Sequence, residues 1–125
     1  MAISRKPGAG RVLYCDFSGH VLPEMCGSHY VVVISDKKKN KKGMCIVVPI
    51  TSSEDFVVPE HHIPLVPNQF PFITMDCYIK PDLIRAVSFD RLTILPEALG
   101  GSNAKVTNAM MDEIREKLAI YLKIA

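Results

Sequence analysis

Two apolar runs of strand length constrain this chain more than any other feature. They are Val31-Val-Val-Ile-Ser35 and Met44-Cys-Ile-Val-Val-Pro-Ile-Thr51, separated by a lysine-rich turn. Such a pair predicts a β-hairpin over residues 30–50. Neither run alternates between apolar and polar residues, so both faces of the hairpin are expected to be buried. His29 enters the first run and Thr51 leaves the second. Antiparallel pairing sets those two ends side by side, so topology alone predicts His29 and Thr51 in one site.

The flanking segments read as further short elements. Residues 10–17 form a first strand, and residues 18–28 a loop long enough to carry function. Prolines at 59, 64, 67 and 71 forbid a long helix over residues 52–72. Val57-Val58 and residues 63–66 read as short edge strands, residues 73–79 and 83–88 as two more strands, and residues 96–99 as a single helical turn before Gly100-Gly101. One clear helix closes the chain. Thr107 suits its N-cap, and apolar residues at 110, 111, 114, 118, 121 and 122 fall on one face. The predicted fold class is α+β, mostly β: a small SH3-like β-barrel with a C-terminal α-helix over 107–123. Residues 1–125 read as a single domain, with 1–9 as a flexible arm.

An apolar share of 48% with 22% charged residues excludes an intrinsically disordered chain. No run of apolar residues is long enough for a membrane span. The start, Met-Ala-Ile-Ser-Arg-Lys-Pro-Gly, lacks the apolar stretch of a signal peptide. A cytoplasmic location is therefore expected, and with it reduced thiols at Cys15, Cys26, Cys45 and Cys77. Cys26-Gly-Ser-His29 has the spacing of half a zinc site, but no second pair has comparable spacing, so no metal or other cofactor is expected.

The net charge is only +2, yet Lys37, Lys38, Lys39, Lys41 and Lys42 crowd one turn. Two readings stand: a solvated hairpin tip, or a loop that contacts phosphates. At the hairpin ends, a histidine can exchange a proton at neutral pH, and the Thr51 hydroxyl can hydrogen-bond a phosphoryl oxygen. Arg85 and Arg91 could supply fixed positive charge. Such a set suits attack of an RNA 2′-hydroxyl on its own phosphate; a lone histidine at a strand edge is also a common structural feature. His20 borders the same site. His61 and His62 sit in the proline-rich segment and are expected to be exposed. Tyr14, Phe17 and Tyr30 suit either core packing or base stacking.

The ordered set Gly10-x-Val12, Asp16-Phe17, Glu24-x-x-Gly27, Val32-Val-Ile-Ser35, Val48-Pro49-Ile-Thr51-Ser52, Asp82-x-Ile84-Arg85 and Arg91-Leu92 resembles the PemK/MazF family of toxins from type II toxin–antitoxin systems, over residues 10–122. The resemblance implies a homodimeric, small-barrel endoribonuclease. It would cleave single-stranded RNA without metal, by 2′-hydroxyl attack to a 2′,3′-cyclic phosphate, and be neutralised by a cognate antitoxin. Thr51 matches the family's catalytic threonine, Glu24 its loop carboxylate, and Asp82 and Arg85 its acidic and basic pair. His29, Thr51 and Arg85 are the expected catalytic residues. Glu24, His20, Ser52, Asp82, Lys37, Lys38 and Lys39 are the expected RNA contacts. One departure stands out: His29-Tyr30 occupies the place of the family's Arg-Pro, whose arginine is its main catalytic residue. Arginine and histidine are not interchangeable. Three explanations compete: His29 acts as acid or base, Arg85 or Arg11 supplies the missing charge, or cleavage has been lost. The last would leave a non-catalytic binding module on the same fold, like the CcdB-type toxins that bind DNA gyrase.

Overall fold

The computed structural model describes residues 3, 5–19, 26–37, 40, 43–52 and 57–124. Its strands are β1 (Val12–Asp16), β2 (Ser28–Val33), β3 (Met44–Thr51), β4 (Ile63–Leu65), β5 (Cys77–Ile79), β6 (Arg85–Ser88) and β7 (Leu92–Thr93). One helix, α1 (Asn108–Leu122), follows them. All strands pair antiparallel in a single sheet of order β4-β5-β3-β2-β1-β7, with β6 also on β3. Among the described residues the path does not close, so in place of the expected closed barrel there is an open sheet in which β4, β6 and β7 each pair on one side only.

The predicted hairpin is β2–β3, with Val31 opposite Pro49 and Val33 opposite Val47. Both its faces are buried. Val32, Val48 and Ile50 join Val12, Phe72 and Ile79 on one face, which α1 covers with Met111 and Ile114. Val31, Val33 and Val47 join Leu13, Cys15 and Phe17 on the other. Burying one such side chain is worth about 1.5–3 kcal/mol, so packing on the two faces holds the sheet together.

Pro49 explains how β3 serves three partners. A proline inside a central strand normally breaks the ladder. Here β6 pairs with Met44–Val47 and β5 with Ile50–Thr51 on the same edge. Pro49 falls at the change of partner, and its carbonyl accepts the Lys80 N–H at 3.0 Å. The missing donor therefore costs no ladder bond, and the switch carries Thr51 onto β5 opposite Tyr78.

Several expectations needed revision. Val57-Val58 forms no strand, and of residues 73–79 only Cys77–Ile79 pairs. The preceding residues instead turn back, with Asn68 N–H bonded to the Ile73 carbonyl and Asn68 at φ 68°, a conformation asparagine tolerates. Residues Pro81–Leu83 make a short helical turn before β6. Glu97–Leu99 makes the expected turn before Gly100. Thr107 caps α1 by accepting the Met110 N–H at 3.1 Å. The helix buries only the start of its apolar stripe: Met111 and Ile114 are covered, while Tyr121 and Leu122 are exposed. No described helix is long and apolar enough to cross a membrane.

His62 is buried, contrary to the expectation drawn from its loop setting. Its Nδ1 accepts the Val58 N–H at 3.0 Å, so Nε2 carries the proton and donates to Asp82 Oδ1 at 2.8 Å. This bond ties the proline-rich segment to the turn that precedes β6. Replacing Asp82 leaves a buried donor without its acceptor, a loss of about 1–3 kcal/mol. Asp82→Ala is therefore expected to lower the urea midpoint with an unchanged slope, and an unaltered midpoint would show that the tie contributes nothing.

Candidate nucleic-acid-cleaving site

His29 and Thr51 end neighbouring strands, one residue beyond the Tyr30–Ile50 pair. Both line one pocket, together with Tyr14, Ser28, Tyr30 and Ser52. The segment that turns back after Phe70 supplies Phe72, Ile73, Thr74 and Met75 to its wall. The pocket holds about 190 Å³, room for about six waters at ~30 Å³ each. That accommodates a phosphate and part of its sugar, but not a run of nucleotides.

The His29 ring is held on two sides. Its Nε2 lies 2.8 Å from the Cys26 carbonyl. A carbonyl only accepts, so Nε2 donates, and Nδ1 is the nitrogen left to exchange a proton. The ring also lies 6.2 Å from that of Phe17, which is fully buried. The guanidinium carbon of Arg85 stands 5.8 Å from the centroid of the same Phe17 ring. Arg85 pairs opposite Val47 and so shares the face that carries Phe17. It does not line the pocket; it shares the Phe17 ring as a neighbour with His29.

The remaining expected residues divide. Ser52 is exposed and lines the pocket. Asp82 is engaged with His62, and it supports the turn leading into Arg85. Lys37 is exposed and lines a different cleft, as does Arg11; of the two arginines considered as replacements, Arg85 is the one that shares a neighbour, the Phe17 ring, with His29. Arg91 donates to the Asp16 and Ser18 carbonyls at 2.8 and 2.9 Å, a fastening for the loop after β1. His20, Glu24, Lys38 and Lys39 lie outside the described residues. The role of Phe17 was missed as a specific one. Its only signal in the sequence is an aromatic residue just after β1, beside Asp16, which core packing explains equally well.

Tyr14 and Tyr30 pack with ring centroids 4.6 Å apart. Burial, followed by the Tyr14 hydroxyl, pushes the Tyr30 phenol up to about 12 from an ordinary 10.0. Burial likewise pushes Cys15 up to about 12 and Cys45 to about 11, from 9.0. The four cysteines are free thiols. Each of the three shifted groups ionises by losing a proton, and does so more readily in the unfolded chain. Their contribution is fully present below the unfolded values and is lost as pH rises through the folded ones. The thermal midpoint should therefore be insensitive to these groups up to about pH 9 and fall between about pH 9 and 12. A midpoint that held constant through that window would contradict the burial assigned to them.

Among the described residues, no group of three metal-ligating side chains comes together, and no carboxylate lines the pocket. The pocket brings together one imidazole, of His29, and the hydroxyls of Ser28, Thr51, Ser52 and Thr74 with those of Tyr14 and Tyr30.

Comparison with known proteins gives this arrangement its setting. The solved structure of MazF from Deinococcus radiodurans is similar at a TM-score of 0.73 and 18% identity, over 96% of this chain and 99% of that one. The MazE–MazF complex of the same organism is similar at a TM-score of 0.70 and 19% identity, over 98% and 100% of the two chains. An endoribonuclease in complex with its cognate antitoxin, from a mycobacterial species, is similar at a TM-score of 0.64 and 23% identity, over 94% of each chain. These likenesses establish the fold. No curated protein matches the chain. The profile of the PemK-like, MazF-like toxins of type II toxin–antitoxin systems matches residues 9–122, nearly the whole chain, and the protein belongs to that family.

Proposed function

We propose that this protein is a toxin endoribonuclease that cuts single-stranded RNA without a metal ion. The observation that carries this reading is the pairing of His29 with Thr51 in one pocket, with the His29 Nε2 committed to the Cys26 carbonyl. In the proposed reaction His29 Nδ1 takes the proton of the ribose 2′-hydroxyl. The 2′-oxygen attacks the adjacent phosphorus, and the bond to the 5′-oxygen breaks. The departing oxygen takes a proton from water, leaving a 2′,3′-cyclic phosphate and a 5′-hydroxyl. The Thr51 and Ser52 hydroxyls hold phosphoryl oxygens, and the Arg85 charge offsets the negative charge that builds on phosphorus. The absence of carboxylates from the described lining supports a metal-free route, since hard cations such as Mg²⁺ are held by carboxylates.

Two of the similar structures are toxin–antitoxin complexes, which supports a cognate antitoxin as partner here. The reading also includes action as one domain in the cytoplasm and assembly as a homodimer. The exposed Ile120, Tyr121 and Leu122 at the end of α1 offer an apolar surface of the kind a partner covers.

The test is incubation of the purified protein, free of antitoxin, with a long single-stranded RNA in excess EDTA, followed by mapping of the ends. Discrete cuts with cyclic-phosphate ends are expected. Intact RNA in the presence of folded protein would favour the non-catalytic reading, which the histidine at the family's arginine position motivates.

A further inference from the structure

A second cleft, sharing no lining residue with the pocket, gathers four cationic side chains. It is formed by Arg5, Lys6, Arg11 and Lys37, with Ser102 and Asn103 on its rim and Ile3, Leu13 and Ile94 among its apolar lining. It holds about 610 Å³, roughly three times the volume of the His29 pocket. No acidic and no aromatic side chain lines it among the described residues.

The cleft is built rather than an accident of loose side chains. Asn40, inside the lysine-rich turn, is 1% exposed. Its Nδ2 donates to the Pro7 carbonyl at 3.0 Å, and its Oδ1 accepts the Ser35 hydroxyl. That hydroxyl oxygen in turn accepts the Ile46 N–H at 2.9 Å. One buried amide thus ties the segment bearing Arg5 and Lys6 to the turn bearing Lys37 and to β3. Arg11 is held by a hydrogen bond from its guanidinium to the Ser102 carbonyl. In sequence, Lys38, Lys39, Lys41 and Lys42 continue the same run of charge.

We infer that this cleft binds the sugar–phosphate backbone of the RNA strand outside the cleaved step. The inference rests on the ribonuclease reading above. Four cations in a cleft that no carboxylate lines among the described residues favour a ligand with one negative charge per residue. The lack of an aromatic side chain argues against base stacking, and against the aromatic anchors that dominate protein interfaces. The contact is therefore electrostatic and indifferent to sequence. It raises affinity for long strands, while choice of cutting site stays with the pocket.

The experiment measures binding of 2′-O-methyl RNA, which keeps the phosphates and lacks the attacking hydroxyl, as a function of salt. A 20-mer and a 4-mer are compared for the wild type and for Arg5→Gln/Lys6→Gln, whose fold is checked by thermal unfolding; both positions are exposed. Each lost phosphate contact should flatten the log–log salt slope by about 0.7. For the 20-mer the variant slope is expected to be shallower by about 1.4, with affinity at 0.1 M salt lower by about 10- to 25-fold. The 4-mer slope should not change. Equal 20-mer slopes in the two proteins would overturn the inference and leave the ribonuclease reading standing. If the variant instead lost affinity for poly-glutamate and kept that for RNA, the cleft would be a site for an acidic peptide, and the inference would also fall. Failure of the wild type to bind RNA of either length would remove the ribonuclease reading and the cleft's role with it.

Discussion

His29→Ala is expected to lower the rate of RNA cleavage by about 10²- to 10⁴-fold, the usual contribution of one positioned acid–base group, and to leave the fold intact. The structural expectation follows from the setting of the ring. It is half-buried at a strand end, its one hydrogen bond is to a loop carbonyl, and its aromatic contact is from one side only. Alanine at this position removes no core volume comparable to that of Val31 or Phe17. The catalytic expectation follows from the pocket, where His29 supplies the one imidazole among the described lining residues. Wild-type cleavage should also depend on pH within about pH 5–8, and the residual activity of the variant should lose that dependence. His29→Arg is the informative companion, because it restores the family's residue. Gain of rate with loss of the pH dependence would mean that fixed charge can replace proton transfer in this pocket. Full activity in folded His29→Ala would remove the histidine from the mechanism.

The second large effect is expected at Phe17. Its side chain is fully buried and its ring neighbours both the His29 ring and the Arg85 guanidinium. Truncation to alanine should cost about 3–5 kcal/mol through lost burial and the cavity left behind. With about 1–3 kcal/mol per molar of urea, the unfolding midpoint should fall by more than 1 M. Phe17→Leu separates structure from chemistry. It fills most of the volume, so the loss should stay below about 1.5 kcal/mol. It removes the π face that Arg85 meets, an interaction of about 0.5–2 kcal/mol. A leucine variant that keeps its stability and loses cleavage would show that the ring places Arg85 and His29. One that keeps both would make Phe17 a core residue and nothing more.

The parts of the fold legible in the sequence were those written as local patterns. Continuous apolar runs specify a strand buried on both faces, and Val31–Val33 and Val47–Val48 obey this. Thr107 and the residues after it specify a helix start, and the cap forms there. The juxtaposition of His29 and Thr51 was legible because a hairpin's register follows from its turn. What was not legible depended on contacts between segments distant in sequence. Ile73-Thr-Met75 has the composition of a strand, yet three nearby prolines and Asn68 turn it into a wall of the pocket. His62 lies among turn residues, and only Asp82, twenty positions on, gives it a reason to be buried. The Arg5–Lys37 cleft was invisible for the same reason, since it is assembled by an asparagine that reads as an ordinary turn residue.

The open sheet carries a consequence for handling the free protein at high concentration. A sheet that does not close presents unpaired backbone groups along its outer strands, and these can recruit other chains into growing aggregates. Here three strands pair on one side only among the described residues, and all are short. β7 has two residues, β4 three and β6 four, and the middle residue of β4 is the exposed Pro64, which has no N–H to offer. A continuous ladder needs several consecutive donors and acceptors, and none of the three offers a long run of them. The chain should therefore stay free of fibrillar self-association without a partner to cover those strands.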